Sequence, residues 1–172
     1  MINQEQIKQG KIFENELTKI FRPLSLRKPI MWERIIDSGG AGNLIKGAKA
    51  DFDLTIKSKF VGMPYRFQIE CKASSVVNTM AGDFRDRISS HQIAEMRKAH
   101  RVGVIGFFWF KAVKTGDTEI WSAHDVCAAY HTKGKGLKLP CAYVINEKNL
   151  GRFAETLAED PEKFIIQLGV PE

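Results

Sequence analysis

Two short segments hold the residue types that metal-assisted hydrolysis needs. Residues 50–57 read A-D-F-D-L-T-I-K, and residues 65–73 read Y-R-F-Q-I-E-C-K-A. Apolar Phe52, Leu54 and Ile56 alternate with Asp51, Asp53, Thr55 and Lys57. Phe67, Ile69 and Cys71 alternate in the same way with Gln68, Glu70 and Lys72. A period of two is that of strands with one apolar and one polar face. Asp51 and Asp53 then point the same way, about 7 Å apart at roughly 3.3 Å per residue. Glu70 and Lys72 also share a face. Gly62 and Pro64 in the connection favour an antiparallel hairpin. If the polar faces align, two or three carboxylates and one ammonium converge, an oxygen cluster suited to a hard divalent cation. The lysine could orient an attacking water or stabilise charge developing on a phosphate. The same residues would also make an ordinary solvated sheet face.

Two further polar residues stand beside apolar stripes. Glu14 lies within the stripe of a helix expected over residues 3–21, formed by Ile7, Gly10, Phe13, Leu17, Ile20 and Phe21. A carboxylate there calls for a cation, a metal or hydrogen-bond donors, or it reaches solvent from the helix edge. Gln92 falls in the first turn of a second helix that Ser90 would cap and that runs to about Arg101, beside Ile93, Met96 and Ala99. Its amide could bind a water or a backbone phosphate, or fill an ordinary boundary position.

The remaining elements follow from the same patterning. Pro23 should stop the first helix. Residues 31–36 suit a strand, and a loop with four glycines follows. Residues 74–88 show no period. Residues 102–110 form an apolar run of nine, fit for a buried strand and too short to span a bilayer. Residues 118–123 and 141–145 suit shorter strands, with a basic, glycine-bearing loop between them. Asp160 followed by Pro161 starts a helix near the C-terminus, and the terminal helices occupy about residues 147–168. Trp and Phe at 107–110 read as core. The expected architecture is α/β, a mixed central sheet flanked by helices.

The 172 residues, 44% hydrophobic and 27% charged, suit one domain over residues 1–172 with a substantial core. No apolar leader opens the chain, and Cys71, Cys127 and Cys141 form no CxxC pair. A disulfide framework and a four-cysteine zinc site are thereby excluded, and a reducing, cytoplasmic setting without membrane is expected. The four histidines have no HExxH spacing, and no dinucleotide loop, GK[ST] or G-x-S-x-G occurs. The net charge of +6 favours a polyanionic partner. Three basic groups could track phosphates or simply face solvent: Arg22, Arg27, Lys28 and Arg34; Arg85 and Arg87; and Lys133, Lys135 and Lys138.

Asp51-Phe52 followed by Ile69-Glu70-Cys71-Lys72 resembles the motif of the PD-(D/E)XK nucleases, with Ala50 where the proline usually stands and a rather long linker. His91-Gln92-Ile93-Ala94-Glu95-Met96, a basic turn and the strand VGVIGFFWF resemble the segment after the ExK strand in RecU-type Holliday junction resolvases. Residues 10–14 resemble the first helix of the same nucleases. The resemblance covers about residues 8–125. It implies a restriction-endonuclease-like fold. It also implies Mg²⁺, with Mn²⁺ able to substitute, held by Asp51 and Glu70. Glu14 would be a further ligand, and Asp53 either a second ligand or a salt-bridge partner. Lys72 becomes the catalytic lysine and Gln92 an accessory catalytic residue, with Cys71 a small buried residue rather than a nucleophile. The implied activity is Mg²⁺-dependent cleavage of DNA by a homodimer at four-way junctions. The alternatives are a nuclease of the same fold acting on flaps, single strands or duplex, and a non-catalytic DNA-binding subunit.

Overall fold

The computed structural model describes residues 4–35, 50–58, 62–74, 88–130 and 143–167. Expectations that fall on the glycine loop at 39–47, on Arg85 and Arg87, on Lys133, Lys135 and Lys138, and on Cys141 lie outside the described residues.

The apolar stripe around Phe13, Leu17 and Phe21 forms helix α1 (Gln4–Ser25). The stop expected at Pro23 does not occur, because the helix continues through Ser25 with Pro23 in its last turn. Burial of Leu24 and hydrogen bonds from Arg27 and Lys28 N–H to the Leu24 carbonyl hold that turn. A proline this near the C-terminal end leaves the first turns of the ladder intact.

Strand β1 (Ile30–Arg34) ends two residues before the expected limit. Strands β2 (Phe52–Ile56) and β3 (Tyr65–Ser74) pair antiparallel, as the alternation and the Gly–Pro connection predict. Helix α2 (Ser90–Arg101) then returns the chain to β4 (Ile105–Ala112), which pairs parallel with β3. β5 (Thr118–Ser122), helix α3 (Ala123–Tyr130), β6 (Tyr143–Ile145), a short 3-10 turn (Glu147–Asn149), α4 (Leu150–Glu159) and α5 (Pro161–Gln167) complete the described chain. Asp160 accepts the Lys163 N–H at 3.0 Å and caps α5. Helix α3 was not among the expected elements. Its eight residues give fewer than three turns, too few for helical periodicity to stand out.

The six described strands lie in sequence order, and among them β3–β4 is the one parallel pair. The chain is an α/β protein with a mixed sheet between helices, compatible with the restriction-endonuclease-like fold. α1, α4 and α5 cover one face, over Phe52, Leu54, Phe67, Ile69, Phe107 and Trp109. α2 and α3 cover the other, over Phe108, Phe110 and Trp121. β4 is therefore buried on both faces, which is why its sequence is apolar without alternation. Burying each of these large side chains stabilises the fold by about 1.5–3 kcal/mol.

Candidate active site

The β2–β3 register sets Phe52 opposite Ile69 and Asp53 opposite Gln68. Phe52 and Ile69 lie in the core under α1. By alternation, Asp53, Gln68, Glu70 and Lys72 face the other way, toward the α2–α3 side. Asp51 lies just before β2, and its Oδ2 accepts the backbone N–H of Cys71 at 2.7 Å. That bond ties the aspartate to the strand residue between Glu70 and Lys72. Cys71 itself lies in the core, its thiol pushed up by burial.

Glu70 is nearly fully buried, with 4% of its surface exposed. Its Oε1 accepts from Lys72 Nζ at 2.7 Å and also from Gln92 Nε2. Gln92 is held from its other end. Its Oε1 accepts the Ser89 N–H at 2.9 Å, while Ser89 Oγ accepts the Gln92 N–H at 3.2 Å. This is a reciprocal capping box, and it leaves the amide donor turned toward Glu70. The N-cap is thus Ser89 rather than the expected Ser90, because the S-x-x-Q spacing to Gln92 starts one residue earlier. Ser89 was missed as a site-supporting residue, although that spacing was present in the sequence.

Burial raises the Asp51 carboxyl from 3.8 to about 7. Glu70 adds to the rise, the Cys71 N–H opposes it, Glu14 adds again, and Lys72 opposes it. Glu14 therefore lies within electrostatic range of Asp51. Its own carboxylate is ion-paired with Arg34 on β1, whose guanidinium also donates to Asn15 Oδ1 at 2.8 Å. The partner that a carboxylate in the α1 stripe required is this arginine. Arg34 thereby serves the α1–β1 contact and is not a free cation awaiting phosphate. A second ion pair joins α1 to β4, where Lys111 meets Glu16 and stands 3.3 Å from Glu147.

Asp51, Glu70, Lys72 and Gln92 are brought together. Glu14 stands nearby but faces Arg34. Asp53 lies two residues along β2, and its Oδ1 is buried without a hydrogen-bond partner. Among the described residues, no three His, Cys, Asp or Glu side chains gather tightly enough to enclose an ion. Magnesium commonly takes only one or two carboxylates and completes its shell with water and substrate phosphate. Asp51 and Glu70 would make such a pair of carboxylates. Among the described residues, Asp51 Oδ1 accepts no hydrogen bond, and Glu70, second to burial in raising the Asp51 carboxyl, is a neighbouring negative charge that a cation would offset.

The first basic group is largely engaged. Lys28 pairs with Glu159 at 2.6 Å, and Arg27 lies 3.8 Å from Glu155, both glutamates on α4. Arg22 remains exposed in the last turn of α1. No helix among the described residues is long and apolar enough to cross a membrane.

No family model matches the chain, and no curated protein matches it.

Proposed function

We propose that the protein is a Mg²⁺-dependent structure-specific DNA endonuclease of the PD-(D/E)XK type, a homodimer that resolves four-way junctions in the cytoplasm. The observation that carries this reading is the joining of Asp51 to the Glu70-x-Lys72 strand through the Cys71 N–H, with its carboxyl raised to about 7. Asp51 and Glu70 would hold the cation, whose chemistry there would be to polarise the phosphodiester and acidify a water. Lys72 presents its ammonium donors to the water or to the charge growing on the phosphate. Gln92 keeps the Glu70 carboxylate aimed from the rigid start of α2. The junction as substrate and the twofold homodimer rest on the resemblance to the resolvases.

The test is cleavage of a labelled four-way junction beside matched duplex, flap and single-strand DNA, with Mg²⁺ or with EDTA. The expected result is symmetric cutting of the junction that EDTA abolishes. Equal cutting of every substrate would leave a general nuclease of this fold. No cutting of any would overturn the enzymatic reading.

A further inference from the structure

Helices α2 and α3 pack against one another over the sheet and leave a cavity of about 460 Å³ between them. Its walls include Arg97, His100 and Arg101 from α2 and His124 from α3, and no carboxylate among the described residues lines it. Beside it, Asp125 Oδ1 stands 3.5 Å from His124 Nδ1. The floor is closed at Gly106, where a Cβ would come within 2.8 Å of both Ala123 Cβ and Met96 Sδ.

Part of this lining lacks a carboxylate partner. Arg27, Lys28, Arg34, Lys72 and Lys111 are each paired with a glutamate. Among the described residues Arg97, His100 and Arg101 form no ion pair. The Arg97 guanidinium is steadied by a bond to the Cys127 carbonyl at 2.9 Å. The His100 and His124 rings stand 6.2 Å apart, and each offers an N–H donor whether neutral or charged. The α2 dipole accounts for basic residues in that helix's last turn. It does not account for His124, which stands in the first turn of α3 at the positive end of the dipole.

We propose that this groove is a second phosphate-binding site, one that takes the sugar-phosphate backbone of a nucleic-acid strand beyond the scissile bond. α2 sets the spacing. It starts with Gln92 at Glu70 and ends with Arg97, His100 and Arg101 in the groove, about 7–14 Å further along its axis at roughly 1.5 Å per residue. A strand advances about 3.4 Å per nucleotide along a duplex, so the groove meets a phosphate about two to four nucleotides from the one at Glu70. That register rests on the nuclease reading; the anion site itself rests on the groove.

The experiment measures binding of a labelled four-way junction and of duplex to the full chain in EDTA, by anisotropy across a salt series. An Arg101→Gln/His124→Gln double variant is compared with wild type. Lys98→Gln, an exposed cation on α2 that does not line the groove, is the control. The expected result is a five- to tenfold loss of affinity in the double variant and a salt dependence shallower by about one to two in log–log slope. Lys98→Gln should stay within about twofold of wild type. In parallel, inorganic phosphate is titrated against the His100 and His124 ring resonances, which should shift. Unchanged affinity and slope in the double variant would overturn the proposal, as would an equal loss in Lys98→Gln. Rings that shift with phosphate while DNA affinity stays unchanged would assign the groove to a free phosphate instead. Groove-dependent binding with no cleavage under Mg²⁺ would keep the groove and remove the nuclease. Cleavage with groove-independent binding would do the reverse.

Discussion

The Asp51 carboxylate accepts the Cys71 backbone N–H at 2.7 Å, and this bond sets the aspartate against the strand residue flanked by Glu70 and Lys72. The residue before β2 is thereby coupled to the two side chains with which Asp51 would act. Asp51→Asn keeps the shape and removes the charge, and Glu70→Gln does the same. Either variant should lose Mg²⁺-dependent cleavage while DNA affinity persists, since affinity rests on basic surface and counterion release. Single-turnover cleavage and anisotropy on the same preparations decide it. Near-normal cleavage by either variant would sink the site.

The pH dependence of stability follows from Asp51. Burial, helped by Glu70, raises its carboxyl from 3.8 to about 7, so the folded protein retains a proton that the unfolded chain releases. The associated stability is complete below about pH 4 and is lost as pH rises to about 7. At about 1.36 kcal/mol per pKa unit, this group alone makes the metal-free protein less stable at pH 8 than at pH 4 by on the order of 4 kcal/mol. Urea unfolding in EDTA across that range should show the decline, and Asp51→Asn should flatten it. A decline of the same size in Asp51→Asn would refute the assignment.

Lys72→Ala removes a charged donor from the buried Glu70 carboxylate, which also accepts from Gln92. The metal-free variant should lose about 1–3 kcal/mol, be inactive in cleavage, and still bind Mn²⁺. Calorimetric Mn²⁺ titration beside a cleavage assay separates those effects.

Gln92 acts through Glu70. Gln92→Ala should slow cleavage or weaken metal binding by about 10- to 100-fold, as loss of a ligand's supporting hydrogen bond does elsewhere. Ser89→Ala should cost about 0.5–2 kcal/mol of stability through the lost cap, with a smaller effect on cleavage. An identical cleavage defect in both would mean that the helix terminus matters and the Glu70 bond does not.

Gly106→Ala tests the packing of α2 and α3 on β4. The added methyl would come within 2.8 Å of Ala123 Cβ and Met96 Sδ. Met96 can yield, but Ala123 is held by the α3 backbone, so the cost should be about 1–3 kcal/mol. A denaturation midpoint equal to that of the wild type would show that the helices shift freely.

What the sequence determined by itself is what local periodicity determines. Period-two alternation put Phe52, Leu54, Phe67 and Ile69 on one face and Asp51, Asp53, Glu70 and Lys72 on the other, because successive strand side chains point to opposite sides. The unbroken apolar run around Phe107–Phe110 marked a strand covered on both faces. Asp160-Pro161 marked the start of α5. Tertiary structure decided which polar groups meet. Arg34 neutralises Glu14 because β1 passes α1, and Lys28 meets Glu159 across 131 residues of chain. Burial of Leu24 carries α1 past Pro23, against local propensity. The α2–α3 groove takes basic residues from segments more than twenty residues apart, and its lining became legible only once both helices lay on the sheet. Spacing along a chain reports which face a side chain takes. Its partner depends on strand register and helix docking, which long-range burial decides.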